Sequence, residues 1–173
     1  MVTVGYKYST PRQSYNVSKP EFLKMRTLLY FVALGVICFA QGASSAESDK
    51  HSTASEAAIR AVLDAQRDAW NRGDIEGYMD GYDRSPDTVF VSGDRINRGW
   101  QTVLDRYQKS YDSREKMGML TFSDVEVTML SKDAAAVLGR WRLKRANDEP
   151  HGTFTLLFRK TKTGWKIVHD HTS

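Results

Sequence analysis

From Leu120 to its end the chain offers four β-runs joined by short turns, and this does most to limit its fold. The runs are expected at Leu120–Leu130, Ala134–Arg145, Thr153–Lys160 and from Trp165 onward. The turns are Ser131-Lys132-Asp133, Asn147-Asp148-Glu149-Pro150 and Lys162-Thr163-Gly164. Such short connections make consecutive strands antiparallel neighbours. Alternation in the first run slips near Ser123-Asp124, which predicts a bulge. Phe154, Leu156 and Phe158 share one face of their strand. Val137, Trp141 and Leu143 share one face of theirs, with Leu138 opposite. A sheet that is apolar on both sides needs cover on both, from helices on one and a partner on the other.

Upstream the period changes. Thr53 and Glu56 form a capping box ahead of Ile59, Val62, Leu63, Gln66, Ala69 and Trp70 at helical spacing. Gly73 ends that helix, and Asp74 caps a shorter one with Ile75, Tyr78, Met79 and Tyr82 on its apolar face. Thr88 to Ser92 is a strand, Gly93-Asp94 a hairpin turn, and Arg95-Ile96-Asn97 its return. A third helix after Gly99 carries Trp100, Val103, Leu104, Tyr107 and Tyr111 on one face. The order is α+β, with helices gathered on one side of a curved antiparallel sheet.

Residues 1–46 have a different character. Lys24 and Arg26 precede an apolar stretch, Leu28 to Ala40, and Ser44-Ser45-Ala46 supplies small residues for cleavage. Residues 25–46 therefore read as a signal peptide, which implies a periplasmic or secreted domain with no stable membrane association after cleavage. Residues 1–24 read as a start-site artefact or a disordered extension, residues 47–52 as a linker, and residues 53–173 as one domain. The whole chain has 25 Lys+Arg against 21 Asp+Glu. Five of those basic residues and one acidic residue lie in residues 1–46, so the remainder is formally neutral. The basic balance thus belongs to the leader and gives no reason to expect a nucleic-acid partner. The one cysteine, Cys38, also falls in the leader, leaving the domain without a thiol nucleophile, disulfide or thiolate metal site. Gly-rich phosphate loops, Gly-x-Ser-x-Gly elbows and His-Glu-x-x-His motifs are absent, which disfavours kinase, hydrolase and metalloprotease readings.

Three stretches resemble the nuclear transport factor 2-like fold in its SnoaL-like branch. They are Trp70-Asn71-Arg72-Gly73-Asp74-Ile75-Glu76-Gly77-Tyr78, Arg98-Gly99, and Gly164-Trp165-Lys166-Ile167-Val168-His169-Asp170-His171-Thr172-Ser173. The association domain of calcium/calmodulin-dependent protein kinase II is similar at the first and last of these. The resemblance implies a cone in which the sheet wraps the first helix and leaves a pocket at its open end. It also implies homodimerisation through the outer sheet face and a small-molecule ligand, with no cofactor.

Alternation in the last strand puts Trp165, Ile167, His169 and His171 on one face and Val168, Asp170 and Thr172 on the other. Asp170 is the candidate catalytic carboxylate, a general base in an apolar cleft. Arg140 resembles a pocket arginine of the kinase association domain and is the candidate anion clamp; the alternative for the Asp170–Arg140 pair is a structural ion pair. Tyr78 is the candidate hydrogen-bond donor, because the junction motif resembles one whose tyrosine faces the cavity. Trp70, Tyr82 and Phe90 are candidate ligand contacts or plain core. His171 is a further pocket candidate, although its parity, like that of His169, points to the outer face. No third ligand accompanies the two histidines, so no metal site is assigned. Arg140, Arg142, Lys144 and Arg145 read as charges guarding a sheet edge. The implied function is binding of an apolar or carboxylate-bearing small molecule without a cofactor, extending to isomerase, cyclase or dehydratase chemistry through the pocket carboxylate. The alternative is a non-catalytic assembly module acting through an outer face that carries Trp141, Trp165 and His169.

Overall fold

The computed structural model describes residues 50–173. The expectations for residues 1–24, the signal peptide at 25–46 and part of the linker lie outside them. The first helix, α1, runs through residues 50–71. Because residues 50–52 are already helical, Thr53 is inside the helix rather than at its cap. The buried stripe is Ile59, Leu63, Gln66 and Trp70, one residue per turn.

The junction after α1 is built locally. Gly73 takes φ +88°, a left-handed conformation that a side chain would resist. Asp74 then accepts from the backbone N–H of Gly77 at 2.7 Å and caps α2, Ile75–Met79. The Asn71 amide accepts from the Leu120 N–H at 2.7 Å and donates to the Leu120 carbonyl at 3.0 Å, tying the helix end to the sheet. Arg114 donates to the carbonyls of Trp70 and Asn71, satisfying the end of α1.

Strands β1 (Val89–Ser92) and β2 (Arg95–Arg98) form the expected hairpin, and α3 spans Trp100–Ser110. A short helix unforeseen in the sequence, α4 (Arg114–Met117), leads into the sheet. Strands β3 (Met119–Met129), β4 (Ala134–Lys144), β5 (His151–Thr161) and β6 (Gly164–Thr172) follow. The six-stranded sheet has the order β2-β1-β6-β5-β4-β3. Every pairing is antiparallel except β1 with β6, which is parallel. β4 is therefore an interior strand, and Arg140, Arg142 and Lys144 stand on its exposed face rather than on an edge.

Two irregularities bend the sheet. The register of β3 against β4 shifts between Ser123 and Glu126, where Asp124 has φ +51°. This is the bulge the alternation predicts. The second is unforeseen: β5 and β6 shift between the pairs Leu157–His169 and Phe158–Ile167, leaving Val168 without an opposite residue. Facing parity consequently reverses at Val168. Trp165 and Ile167 are buried on the same side as Asp170, not on the outer face. Trp141 also turns inward and lines the cavity.

The bulge has a visible partner. Ile167 donates to the carbonyl of Gly81 and accepts from the N–H of Asp83, both at 2.9 Å, so the segment after α2 is laced to β6. This lacing brings Tyr82 beside Asp170.

Candidate functional site

One row across the inner face of the sheet holds Phe90, Asp170, Leu156, Val137 and Val127 in mutual register. Four are apolar and the fifth is a carboxylate. The next row places Ser92, Thr172, Phe154 and Gly139 together. Gly139 leaves room for its neighbour: a Cβ there would lie 2.4 Å from the Phe154 ring. The helices close over these rows and leave a cavity of about 220 Å³.

Its aromatic wall is one connected cluster. Trp70 meets Tyr78 and Tyr111 edge-on, at 5.2 Å and 4.7 Å between ring centroids. Tyr107 meets Tyr78 at 5.3 Å and Phe90 at 5.6 Å. Such edge-to-face contacts fix the rings and preserve the shape of the space between them. The Trp70 indole donates to the Met117 carbonyl at 3.1 Å, and the Gln66 amide to the Tyr78 carbonyl at 3.0 Å. Both polar groups are thus satisfied away from the cavity.

Asp170 is the exception. Its residue exposure is 5 %, and it makes one side-chain hydrogen bond, from the Tyr82 hydroxyl to Oδ2 at 2.6 Å. Oδ1 is buried and has no hydrogen-bond partner among the described residues. A buried carboxylate oxygen without a donor is costly, so the group gives up charge more readily than usual. Burial pushes the Asp170 carboxyl up to about 7, against the smaller opposing effect of the Tyr82 hydrogen bond. The phenols of Tyr78, Tyr82 and Tyr107 are held above their ordinary range, mainly by burial, with the Asp170 charge contributing to each. They are neutral donors across the physiological range.

The cavity therefore combines a carboxyl whose burial favours keeping its proton with neutral hydroxyl groups in a largely apolar enclosure. Among the described residues no group of three or more His, Cys, Asp or Glu side chains is placed to hold a metal ion.

Of the residues singled out in the sequence, Trp70, Tyr78, Tyr82, Phe90 and Asp170 come together in this one cavity. Arg140 and His171 do not. The Arg140 side chain is 64 % exposed and pairs with Asp124 at 3.2 Å. Its strand position opposes Thr153 on the outer face, so even parity with Leu138 and Arg142 carries it away from the cavity. His171 is exposed, next to Val91 and Thr155, because simple alternation from Asp170 turns it outward. Sequence reasoning missed the contribution of α3: Arg106, Tyr107, Ser110 and Tyr111 all line the cavity. Tyr107 and Tyr111 were visible as an apolar stripe. The signal for Arg106 and Ser110 was their i, i+4 spacing along the border of that stripe.

A curved sheet of this order, wrapped against a long helix around a cavity, defines the nuclear transport factor 2-like class. The SnoaL-like domain model matches residues 59–173, and the chain belongs to that family. A nuclear transport factor 2-like protein of unknown function from Shewanella oneidensis is 42 % identical. It superposes with a TM-score of 0.66 over 68 % of this chain and 98 % of that one. A Xanthomonas campestris structure, provisionally named a calcium/calmodulin-dependent protein kinase II association domain, is 17 % identical. Its TM-score is 0.54, covering 66 % of this chain and 84 % of that one. A Novosphingobium aromaticivorans structure, provisionally named a scytalone dehydratase, is 11 % identical, with a TM-score of 0.60 over 72 % and 86 % of the two chains. These last two establish shared fold alone. No curated protein matches the chain significantly.

Proposed function

We propose that the protein binds a small apolar or ring-bearing molecule in this cavity and exchanges a proton with it through Asp170, as a cofactor-independent isomerase, cyclase or dehydratase would. The observation that carries this reading is the unpartnered Oδ1 of Asp170, buried against the cavity. When ionised, Asp170 is held by Tyr82 through Oδ2, leaving the Oδ1 lone pairs free to accept a proton from a bound molecule. An acid balanced near neutral pH takes and returns a proton with little penalty in either direction. Neutral phenols in a largely apolar site stabilise charge developing on a substrate oxygen, and the hydrogen-bonded pair of Tyr78 and Tyr107 lies where it can take that role.

The test uses 2-tetralone, an apolar ring ketone with exchangeable C–H groups, in deuterated buffer. Binding should shift resonances of the cavity residues. The protein should accelerate deuterium uptake next to the carbonyl, and Asp170→Asn should abolish the acceleration while retaining binding. Binding without accelerated exchange would refute the proton-transfer reading.

A second reading concerns assembly, and one observation favours it. Leu138, Thr155, His171, Val91 and Ile96 form a continuous row on the outer face, and Leu157 and His169 lie in the next. Leu138, Leu157 and Ile96 are 50 %, 39 % and 61 % exposed. Such a face suits a second copy of the chain, forming a homodimer that leaves both cavities free. Trp141 and Trp165 face inward and take no part in it.

A further inference from the structure

The cavity contains a second charge that the proton-transfer reading does not use. Arg106, half-buried on α3, lines it together with Ser110 one turn later and Ser92 across the space. Its guanidinium carbon lies 5.2 Å from the centroid of the Phe90 ring. Arg106 takes part in none of the ion pairs formed among the described residues. In particular it does not neutralise Asp170, whose side chain, among the described residues, bonds to Tyr82 and leaves Oδ1 without a partner. Phe90 separates the two groups: Asp170 is its neighbour on β6, and Arg106 approaches its ring from α3. The wall thus presents a cation, then an aromatic face, then an acid.

We infer that the ligand is a ring-bearing carboxylate. Its anionic group would sit on Arg106 beside Ser110, its ring against Phe90 and Tyr107, and its reacting position toward Asp170. The planar guanidinium matches a carboxylate with two parallel N–H donors, and its cation–π contact with Phe90 holds it near the cavity wall. A neutral ligand would leave this donor set unused. The inference rests on the pocket proposed above but not on its chemistry.

Two probes of nearly the same shape, 2-naphthoate and 2-naphthamide, test it by calorimetric titration of the full chain at pH 8. Wild type should bind the carboxylate about tenfold more tightly, the scale of one charge-assisted hydrogen-bonded contact in a partly buried site. Arg106→Gln should remove that preference while leaving amide binding intact, and Arg106→Lys should restore part of it. Equal affinities in wild type, or a preference that survives in Arg106→Gln, would overturn the inference and leave the pocket reading standing. If neither probe binds, both fall. Should Arg106→Gln not fold, the comparison of wild type with Arg106→Lys decides, since loss of the planar fork must reduce the preference.

Discussion

Replacing Asp170 with asparagine should make the protein more stable at alkaline pH and less stable in acid. The ordinary carboxyl value of 3.8 applies to the unfolded chain, and burial raises the native value to about 7. Between those values the native state keeps a proton that the unfolded chain has released, so stability falls as pH rises and the full penalty is present above pH 7. A separation of about three pH units corresponds to about 4 kcal/mol. Asparagine escapes this penalty and still offers Tyr82 an acceptor. It also places an amide where Oδ1 has no partner, at a cost of about 1–3 kcal/mol. The net expectation at pH 8 is a gain of about 2 kcal/mol, or about 8 °C in Tm for a domain of this size. At pH 4 the aspartic acid is already neutral, only the amide cost remains, and the variant should be weaker by about 1–3 kcal/mol. Urea denaturation of both proteins at pH 4, 6 and 8 should give stability curves that cross. Other titrating groups are common to both, so the difference isolates Asp170. Parallel curves, or a variant less stable at every pH, would show that no buried carboxyl is being ionised at a cost. A crossing would mean that the chain keeps a residue that lowers its stability, as expected where a site has a use for it.

Tyr82→Phe removes the one donor to Asp170 and should raise the midpoint of its titration by about one to two pH units, read by carboxyl-carbon NMR. Trp165→Ala should cost about 3–5 kcal/mol in denaturation, because the bulge at Val168 turns the ring into the core; an outer-face tryptophan would cost far less. Leu138→Glu with Leu157→Glu should convert a dimer to a monomer in sedimentation while leaving 2-tetralone binding unchanged; a wild-type monomer would end the assembly reading.

What could be read from the sequence and what could not divide along the range of the interactions. The junction from Trp70 to Asp74 was legible because its signals are local: a glycine at positive φ and an aspartate three residues before the N–H that it caps. The inward face of Asp170 and the outward face of His171 followed from alternation over a few residues. Alternation failed for Trp165 and Ile167 because the bulge between them and Asp170 answers to Gly81 and Asp83, far away in the chain. The parallel pairing of β1 with β6 joins Phe90 to Asp170 without any short turn to announce it. Arg140, singled out in the sequence, lies on the outer face beside Asp124. Arg140 was favoured by resemblance, whereas the i, i+4 spacing of Arg106 and Ser110 marks only a helix border and gains a meaning once α3 is laid over the cavity. The Thr53–Glu56 box was a sound local signal displaced by a helix that begins earlier.

The central claim is that the cavity holds a carboxyl able to exchange a proton at neutral pH, and its most direct test is the titration of Asp170 itself. With aspartate labelled at the carboxyl carbon, and Asp170→Asn identifying the resonance, the chemical shift should move with a midpoint near pH 7. A midpoint near 4 would mean that the group is solvated or fully paired, and the proposed chemistry would lose its acid.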